Sequence, residues 1–217
     1  LVAGACQSMI ECLEQSGSDL VVARSRSLTP ATGSELGARP PRTPRLAQPL
    51  ARVPEAAEEL VAGAVMARRR LWTPLRRPGA LRAPAVSLPA RTLAVLLAAT
   101  RVDVLDEEVY TWRAGSPARG LSADTDPVGL LAEVDALAQL AADAPEAVRR
   151  RLVAGRLSRD LVRLAEVAHR EGSDFASRLR RTAKRVLADA DDVVWASTGL
   201  LDRLVLWLLI QDEPAGA

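Results

Sequence analysis

The chain has 217 residues, room for one large domain or two small ones. Hydrophobic residues make up 48% and charged residues 26%, but Phe, Trp and Tyr reach only 3%, so a core has to be built mainly from Leu, Val and Ala. With 29 basic against 27 acidic side chains the net charge is +2, a near balance that excludes a strong summed field toward nucleic acid or an anionic membrane.

The chain opens Leu1-Val2-Ala3-Gly4, without a methionine or a secretory-signal pattern, which suggests a fragment or a processed chain. From Leu1 to Ser16, Met9, Ile10 and Leu13 fall at helical spacing, and Ser16-Gly17 supplies a stop. Cys6 and Cys12 lie on this helix, roughly 9 Å apart along its axis, too far for an easy disulfide, and are expected to be buried or idle thiols. Leu20-Val21-Val22-Ala23 reads as a short buried strand. Ser25 to Pro54 mixes five prolines before Pro54 with glycine and arginine and has no apolar period, which predicts a flexible linker or loop. Helical patterning resumes over Glu55 to Val61, Pro74 to Pro89 marks irregular structure, and a helix is expected from Ala90 to Ala99. Val102-Asp103-Val104-Leu105 and Val109-Tyr110-Thr111-Trp112 look like two short strands separated by an acidic turn at Asp106-Glu107-Glu108.

After a loop from Ala114 to Asp126 the pattern is helical to the end. Leu130, Val134, Leu137 and Leu140 share one face, as do Leu157, Leu161, Leu164 and Ala168, and then Phe175, Leu179, Val186 and Leu187. Asp143-Ala144-Pro145-Glu146 fits an N-cap followed by proline, and Ser173-Asp174 offers another start. Val193 to Ile210 is mostly apolar and near the about 20 residues that cross a bilayer, but Asp202 and Arg203 argue against insertion, so the segment is read as a buried C-terminal helix.

Chemistry-bearing motifs are few. There is no Gly-rich phosphate loop, no zinc-type cysteine spacing and no Gly-x-Ser-x-Gly turn. His169, the only histidine, sits among Arg163, Glu166, Arg170 and Glu171 on a solvated face. Asp189, Asp191 and Asp192 form the densest acidic group and are read as residues of a helix start, where carboxylates favour the positive end of the dipole. Asp124 and Asp126 read as turn and N-cap residues around Pro127. Lys184 is the only lysine and asparagine is absent, a bias of GC-rich codons under which Arg68-Arg69-Arg70 and Arg149-Arg150-Arg151 are expected to be solvated faces.

Arg101-Val102-Asp103-Val104-Leu105-Asp106-Glu107-Glu108-Val109-Tyr110-Thr111-Trp112-Arg113 resembles the end of the catalytic domain in bacterial family 2 glycosyltransferases that build or modify cell-envelope polymers, wall teichoic acid glycosyltransferases among them. Upstream, Ile10 to Ala23 with Glu14, Ser16, Gly17, Ser18, Asp19 and Val21-Val22 resembles the helix and strand that follow that family's metal-binding Asp-x-Asp. Downstream, the helices from Asp126 and Leu204 to Ile210 resemble its C-terminal extension.

The resemblance implies an α/β fold: a partial GT-A-like layer over residues 1–115, then an all-α helical domain over 116–217. It implies a parent architecture at the inner face of the envelope, cytoplasmic or peripheral at the membrane. That parent transfers a sugar from a nucleotide-sugar donor to a polyol-phosphate or glycan acceptor, using Mn or Mg at Asp-x-Asp and an acidic base. Nucleic acid is not an expected partner. The Asp-x-Asp would precede Leu1, and the family's acidic pair falls at Ser87-Leu88, so no catalytic residue, metal ligand or cofactor is assigned within this chain and the chain alone is expected to be inactive. Of the Lys-Leu-Phe-Arg-Arg stretch, Ala64 to Arg70 keeps only arginines. Tyr110, Trp112 and Arg113 are the candidate substrate-binding residues, since aromatic faces stack on sugars and guanidinium holds phosphate bidentately. Plain packing between sheet and helices accounts for a Tyr-x-Trp pair equally well. The alternative function is a non-catalytic interaction module or pseudoenzyme, self-associating or docking a partner through its C-terminal helices.

Overall fold

The computed structural model describes residues 1–28, 43–73, 87–113 and 126–211. The chain divides into two compact units, Leu1–Gly120 and Leu121–Ala217.

In the first unit, helix α1 (Ala5–Ser16) runs between two glycines in the left-handed region, Gly4 at φ 80° and Gly17 at φ 68°. The Gly17 amide returns to the Leu13 carbonyl at 3.1 Å and closes the last turn, a role that suits glycine because a Cβ is strained at that φ. Strands β1 (Leu20–Leu28), β2 (Arg45–Gln48) and β3 (Val65–Ala67), helices α2 (Arg69–Trp72) and α3 (Leu88–Ala98), and strand β4 (Val102–Arg113) follow. The sheet order is β2-β4-β1-β3. The central pair, β1 and β4, is parallel and both edge strands are antiparallel, so the chain between β1 and β4 makes a crossover, on which α3 lies. Strand alternation splits the apolar residues between the faces. Val21, Ala23 and Val109 pack with Ala5, Met9 and Leu13 of α1, while Leu20, Val22, Val102 and Val104 are buried as well. Ile10, one helical step off the α1 stripe, is exposed.

The sheet departs from the sequence expectation in three places. β4 is one strand, and no turn separates Leu105 from Val109. Between the pairs Val22↔Val104 and Ser25↔Tyr110 the three steps of β1 run beside six of β4, so the extra acidic residues are absorbed as bulges. β1 in turn continues through Arg24-Ser25-Arg26 to Leu28 because β4 supplies it with a parallel partner to Arg113. Finally, Ser25 to Pro54 is not irregular throughout. It holds the end of β1, strand β2 and a 3-10 turn at Leu50–Arg52, with a second from Pro54 to Glu58; residues 29–42 lie outside the described part. The prolines are compatible with this order, since Pro44 and Pro49 flank an edge strand and Pro54 opens a helical turn, places where a missing N–H removes no ladder bond. The expected irregular stretches over 74–86 and 114–125 are outside the described residues.

The second unit is helical: α4 (Pro127–Ala142), α5 (Glu146–Leu152), α6 (Ser158–Glu171), α7 (Ser173–Leu187), α8 (Asp192–Ser197) and α9 (Leu200–Ile210). Asp126 caps α4, accepting from the Gly129 amide at 2.9 Å with Pro127 in the first turn. Asp143, expected as a cap of the next helix, instead ends α4, and Pro145 precedes α5 without a side-chain cap. The buried stripe includes Leu130, Val134 and Leu137, then Leu157, Leu161 and Leu164, then Phe175, Leu179, Val186 and Leu187, while Leu140 and Ala168 lie at its half-buried margin. α6 packs against α4, α7 and α9.

The segment Val193 to Ile210 differs from the single buried helix expected of it. Asp191 caps α8 through the Val194 amide at 3.1 Å, Thr198 and Gly199 are extended and break the helix, and α9 restarts with only Leu206 fully buried. Among the described residues no helix is long and apolar enough to cross a membrane.

Between α5 and α6 the helix widens into a π turn over Val153–Leu157. The Ser158 hydroxyl donates to the Val153 carbonyl at 2.6 Å across this turn. Arg156, on the π turn, donates to Glu133 of α4 at 2.6 Å and to Asp160 at 3.0 Å, and both acids are buried. Removing one partner of a buried ion group leaves the rest uncompensated, typically at about 3–5 kcal/mol. Arg156→Ala is expected to cost that much in urea denaturation followed by circular dichroism. The triple change to Arg156→Met, Glu133→Leu and Asp160→Leu should recover most of it, because the apolar set leaves no charge unpaired.

Candidate functional site

In an α/β sheet, ligands gather outside the carboxyl ends of parallel strands, which here are the ends of β1 and β4. The residues there are charged and matched. Arg24 pairs with Asp106 at 3.1 Å and Arg26 with Glu108 at 3.3 Å. Between the two arginines, Ser25 donates its hydroxyl to Glu59 Oε1 at 2.6 Å and its amide to Oε2 at 3.3 Å, and Glu59 is fully buried. These residues were missed as a set by sequence reasoning. A signal existed: Arg24-x-Arg26 and Asp106-x-Glu108 both repeat at two residues, the period of one strand face.

Tyr110 stands in this region, with one side of its ring against Gly63. A Cβ on Gly63 would collide with the Tyr110 ring, so glycine is what lets the ring approach, and the ring also packs on the α1 cluster. Trp112 and Arg113 pair through their backbones with Ser27 and Leu28; their side chains lie outside the described part.

At the opposite end of the same strands lies a buried acid, Asp103. It accepts the Ser16 hydroxyl at 2.6 Å, the Ser18 hydroxyl at 2.7 Å and the Ala47 amide at 2.7 Å, with the Cys12 thiol at 3.4 Å. Both oxygens are engaged by donors from other segments, which makes Asp103 a structural acceptor and leaves it unsuited to take a proton from a substrate. Burial, with the charge of Asp103 and its hydrogen bond, pushes the Cys12 thiol up to about 12. Cys12 is thus a thiol donor and a poor nucleophile, whereas Cys6 is exposed; both are free.

Beside it, burial pushes Asp19 up, but hydrogen bonds from the Thr100 amide, the Arg70 guanidinium and the Arg101 amide prevail and hold the carboxyl below its usual range. Arg68 donates to the Leu13 and Ser18 carbonyls, both at 2.8 Å. The Arg68-Arg69-Arg70 run is therefore no plain solvated face: two of its guanidiniums tie α1 and the turn before β1 to the chain after β3.

Ser87, where the resemblance placed an acidic pair, caps α3 by accepting the Ala90 amide at 3.3 Å, and Leu88 is exposed. In the helical unit, a cleft of about 400 Å³ has Arg149, Arg150 and Arg185 at its edge. Each already faces a carboxylate: Asp189 at 3.9 Å for Arg149, Glu146 and Asp191 at 2.5 and 2.7 Å for Arg150, and Asp135 for Arg185. Asp191 serves as the α8 cap, Asp192 lies in its first turn, and His169 is exposed. Among the described residues no three His, Cys, Asp or Glu side chains come together to hold a metal ion.

Two measurements check the buried acids. Because the folded-state value of Asp19 is lowered, its stabilisation is present above the unfolded value of about 3.9 and is lost as pH falls through the folded value. The urea-midpoint gap between the native chain and Asp19→Asn should therefore be wide at pH 7 and close below about pH 4. With iodoacetamide at mildly alkaline pH, Cys12 should alkylate at least about a hundredfold more slowly than Cys6, as mass spectrometry of the peptides can show; equal rates would mean that Asp103 does not hold Cys12 as a thiol.

No family model and no curated protein sequence matches the chain. Among solved structures, S. aureus TarS 1–349 in complex with UDP-GlcNAc is similar with a TM-score of 0.56 at 14% identity, over 95% of this chain and 59% of that one. S. aureus TarS is similar with a TM-score of 0.50 at 13% identity, over 94% of this chain and 35% of that one. The chain thus spans 59% of the length of the first and 35% of the second. At such identities the likeness shows the fold: mixed α/β and glycosyltransferase-like.

Proposed function

We propose that the chain is part of a family 2, GT-A-type glycosyltransferase, whose parent architecture passes a sugar from a nucleotide-sugar donor to a polyol-phosphate or glycan acceptor at the inner face of the bacterial envelope. The observation that carries this reading is the likeness over 95% of the chain to a protein bound to UDP-GlcNAc. The charged carboxyl ends of the parallel pair β1 and β4 support it, because that is where such a sheet presents its polar groups to a ligand.

On this reading the end of β4 forms the acceptor side: the Trp112 face stacks on a sugar and the Arg113 guanidinium grips a phosphate through two hydrogen bonds, beside Tyr110, whose ring is packed on Gly63 and the α1 cluster. Asp106, partly exposed beside Arg24, is better placed than buried Asp103 to meet a hydroxyl. A donor diphosphate held through Mn or Mg calls for clustered oxygen ligands, and the described residues do not fit such an ion, so it is given no ligand and no step in this chain. On this reading Ser87-Leu88 takes the position that the resemblance gives to the acidic pair, and the chain alone is expected to be inactive.

Incubated with UDP- and CDP-linked sugars plus manganese or magnesium, the purified chain is expected to release nucleotide only at background, since loss of a general base by itself costs about a hundred- to ten-thousand-fold. In the same preparation a soluble polyol-phosphate oligomer should broaden or shift the indole NMR signal of Trp112, and Arg113→Ala should weaken that binding about tenfold. Metal-dependent nucleotide release that disappears with Asp106→Asn would overturn the inactivity, and absence of any response to the oligomer would overturn the acceptor role.

A further inference from the structure

α9 leaves its most apolar face open. Leu200, Leu201, Leu204, Trp207 and Leu208 are 77, 76, 53, 50 and 56% exposed, on a helix whose only fully buried side chain is Leu206. At those exposures the five side chains present roughly 600 Å² per copy, at the top of the about 300–600 Å² that the largest patch on a monomer reaches and, counted on two copies, at the lower end of the about 1,200–2,000 Å² that stable interfaces bury.

The pattern of this face says what covers it. Leu200, Leu204 and Leu208 form a ridge at intervals of four, and Leu201, Leu204 and Trp207 a ridge at intervals of three. Both ridges are symmetric about Leu204. An isologous contact requires a patch complementary to itself, and this one is: with two helices antiparallel, Leu204 meets Leu204, Leu200 meets Leu208, and Leu201 meets Trp207.

No charged residue interrupts the face. Asp202 and Arg203 are half-buried and off it, and Arg203 donates to the Thr198 carbonyl at 3.1 Å. A helix that lies on a lipid surface usually carries several Lys or Arg along its polar face; α9 has one, already bonded. We infer that two copies of the chain associate through α9, antiparallel about a two-fold axis at Leu204. The association is separate from the sugar-transfer reading and does not depend on it.

Light scattering and sedimentation of the full chain across about 1 to 100 micromolar should show a monomer–dimer equilibrium. Leu204→Arg should raise the dissociation constant at least about a hundredfold and Leu204→Ala about tenfold, with helical circular dichroism unchanged because the residue is exposed. In a Cys6→Ser background, Leu204→Cys should cross-link to itself with a short bismaleimide. Leu200→Cys alone should not, but a mixture of Leu200→Cys with Leu208→Cys should. A chain that stays monomeric throughout, a trimer, a dimer indifferent to Leu204→Arg, or self-cross-linking of Leu200→Cys would each overturn the two-fold contact. A monomer that floats with lipid vesicles would transfer the face to a membrane.

Discussion

Four segments of the α/β unit meet at the Asp103 carboxylate: the last turns of α1 through Cys12 and Ser16, the approach to β1 through Ser18, β2 through the Ala47 amide, and β4, which carries the acid. A carboxylate inside a protein is costly unless its lone pairs are filled, so each segment is held where its donor reaches. Ala47 shows what this demands of the backbone. It is the one non-glycine among the described residues at positive φ, 52°, a conformation that costs an ordinary residue roughly 1–2 kcal/mol, and there its amide points at Asp103. Satisfying the buried acid offsets that strain. Arg68 and Asp19 then extend the same network, one bonding two carbonyls and the other two amides at the helix–strand junction.

Along the central strands the same principle acts at the surface. Asp106 and Glu108 look like turn residues in isolation, yet paired with Arg24 and Arg26 they extend the parallel ladder, and the surplus residues become bulges. Bulges re-aim side chains, so the carboxyl end of β4 does not follow the strict alternation of its start. The geometry separates the acids of the unit into two kinds. Asp103, Asp19 and Glu59 are buried and bonded, whereas Asp106 and Glu108 stay accessible at the end of the sheet where a ligand would approach.

In the helical unit, the π turn inserts one irregularity where it has a use. It places Arg156 between Glu133 and Asp160 and gives Ser158 a widened carbonyl to bond. The core is otherwise made mainly of leucine and valine, with Phe175 its one buried aromatic ring among the described residues, as a chain with 3% aromatic residues requires. Arginines around the cleft are balanced locally by carboxylates, so the near-zero net charge is also a property of the individual surface clusters.

The amino-acid sequence by itself determined the α/β-then-α order, the apolar runs at Leu20 to Ala23 and Val102 to Val104 that became the middle of one sheet, and the leucine stripes of the helical unit, because each follows from a local period of two or 3.6. The likeness of Arg101 to Arg113 to a glycosyltransferase segment likewise pointed to the fold that the structure has. Tertiary structure alone decided the rest. Whether Asp106-Glu107-Glu108 turns or continues depends on arginines some 80 residues away, whether Arg45–Gln48 is coil or strand depends on β4 accepting it, and whether Val193 to Ile210 is one buried helix or two depends on which neighbours cover it. Such outcomes rest on partners distant in sequence, and hydrophobic content cannot reveal them: α9 is as apolar as a core helix, yet its symmetric leucine face lies open.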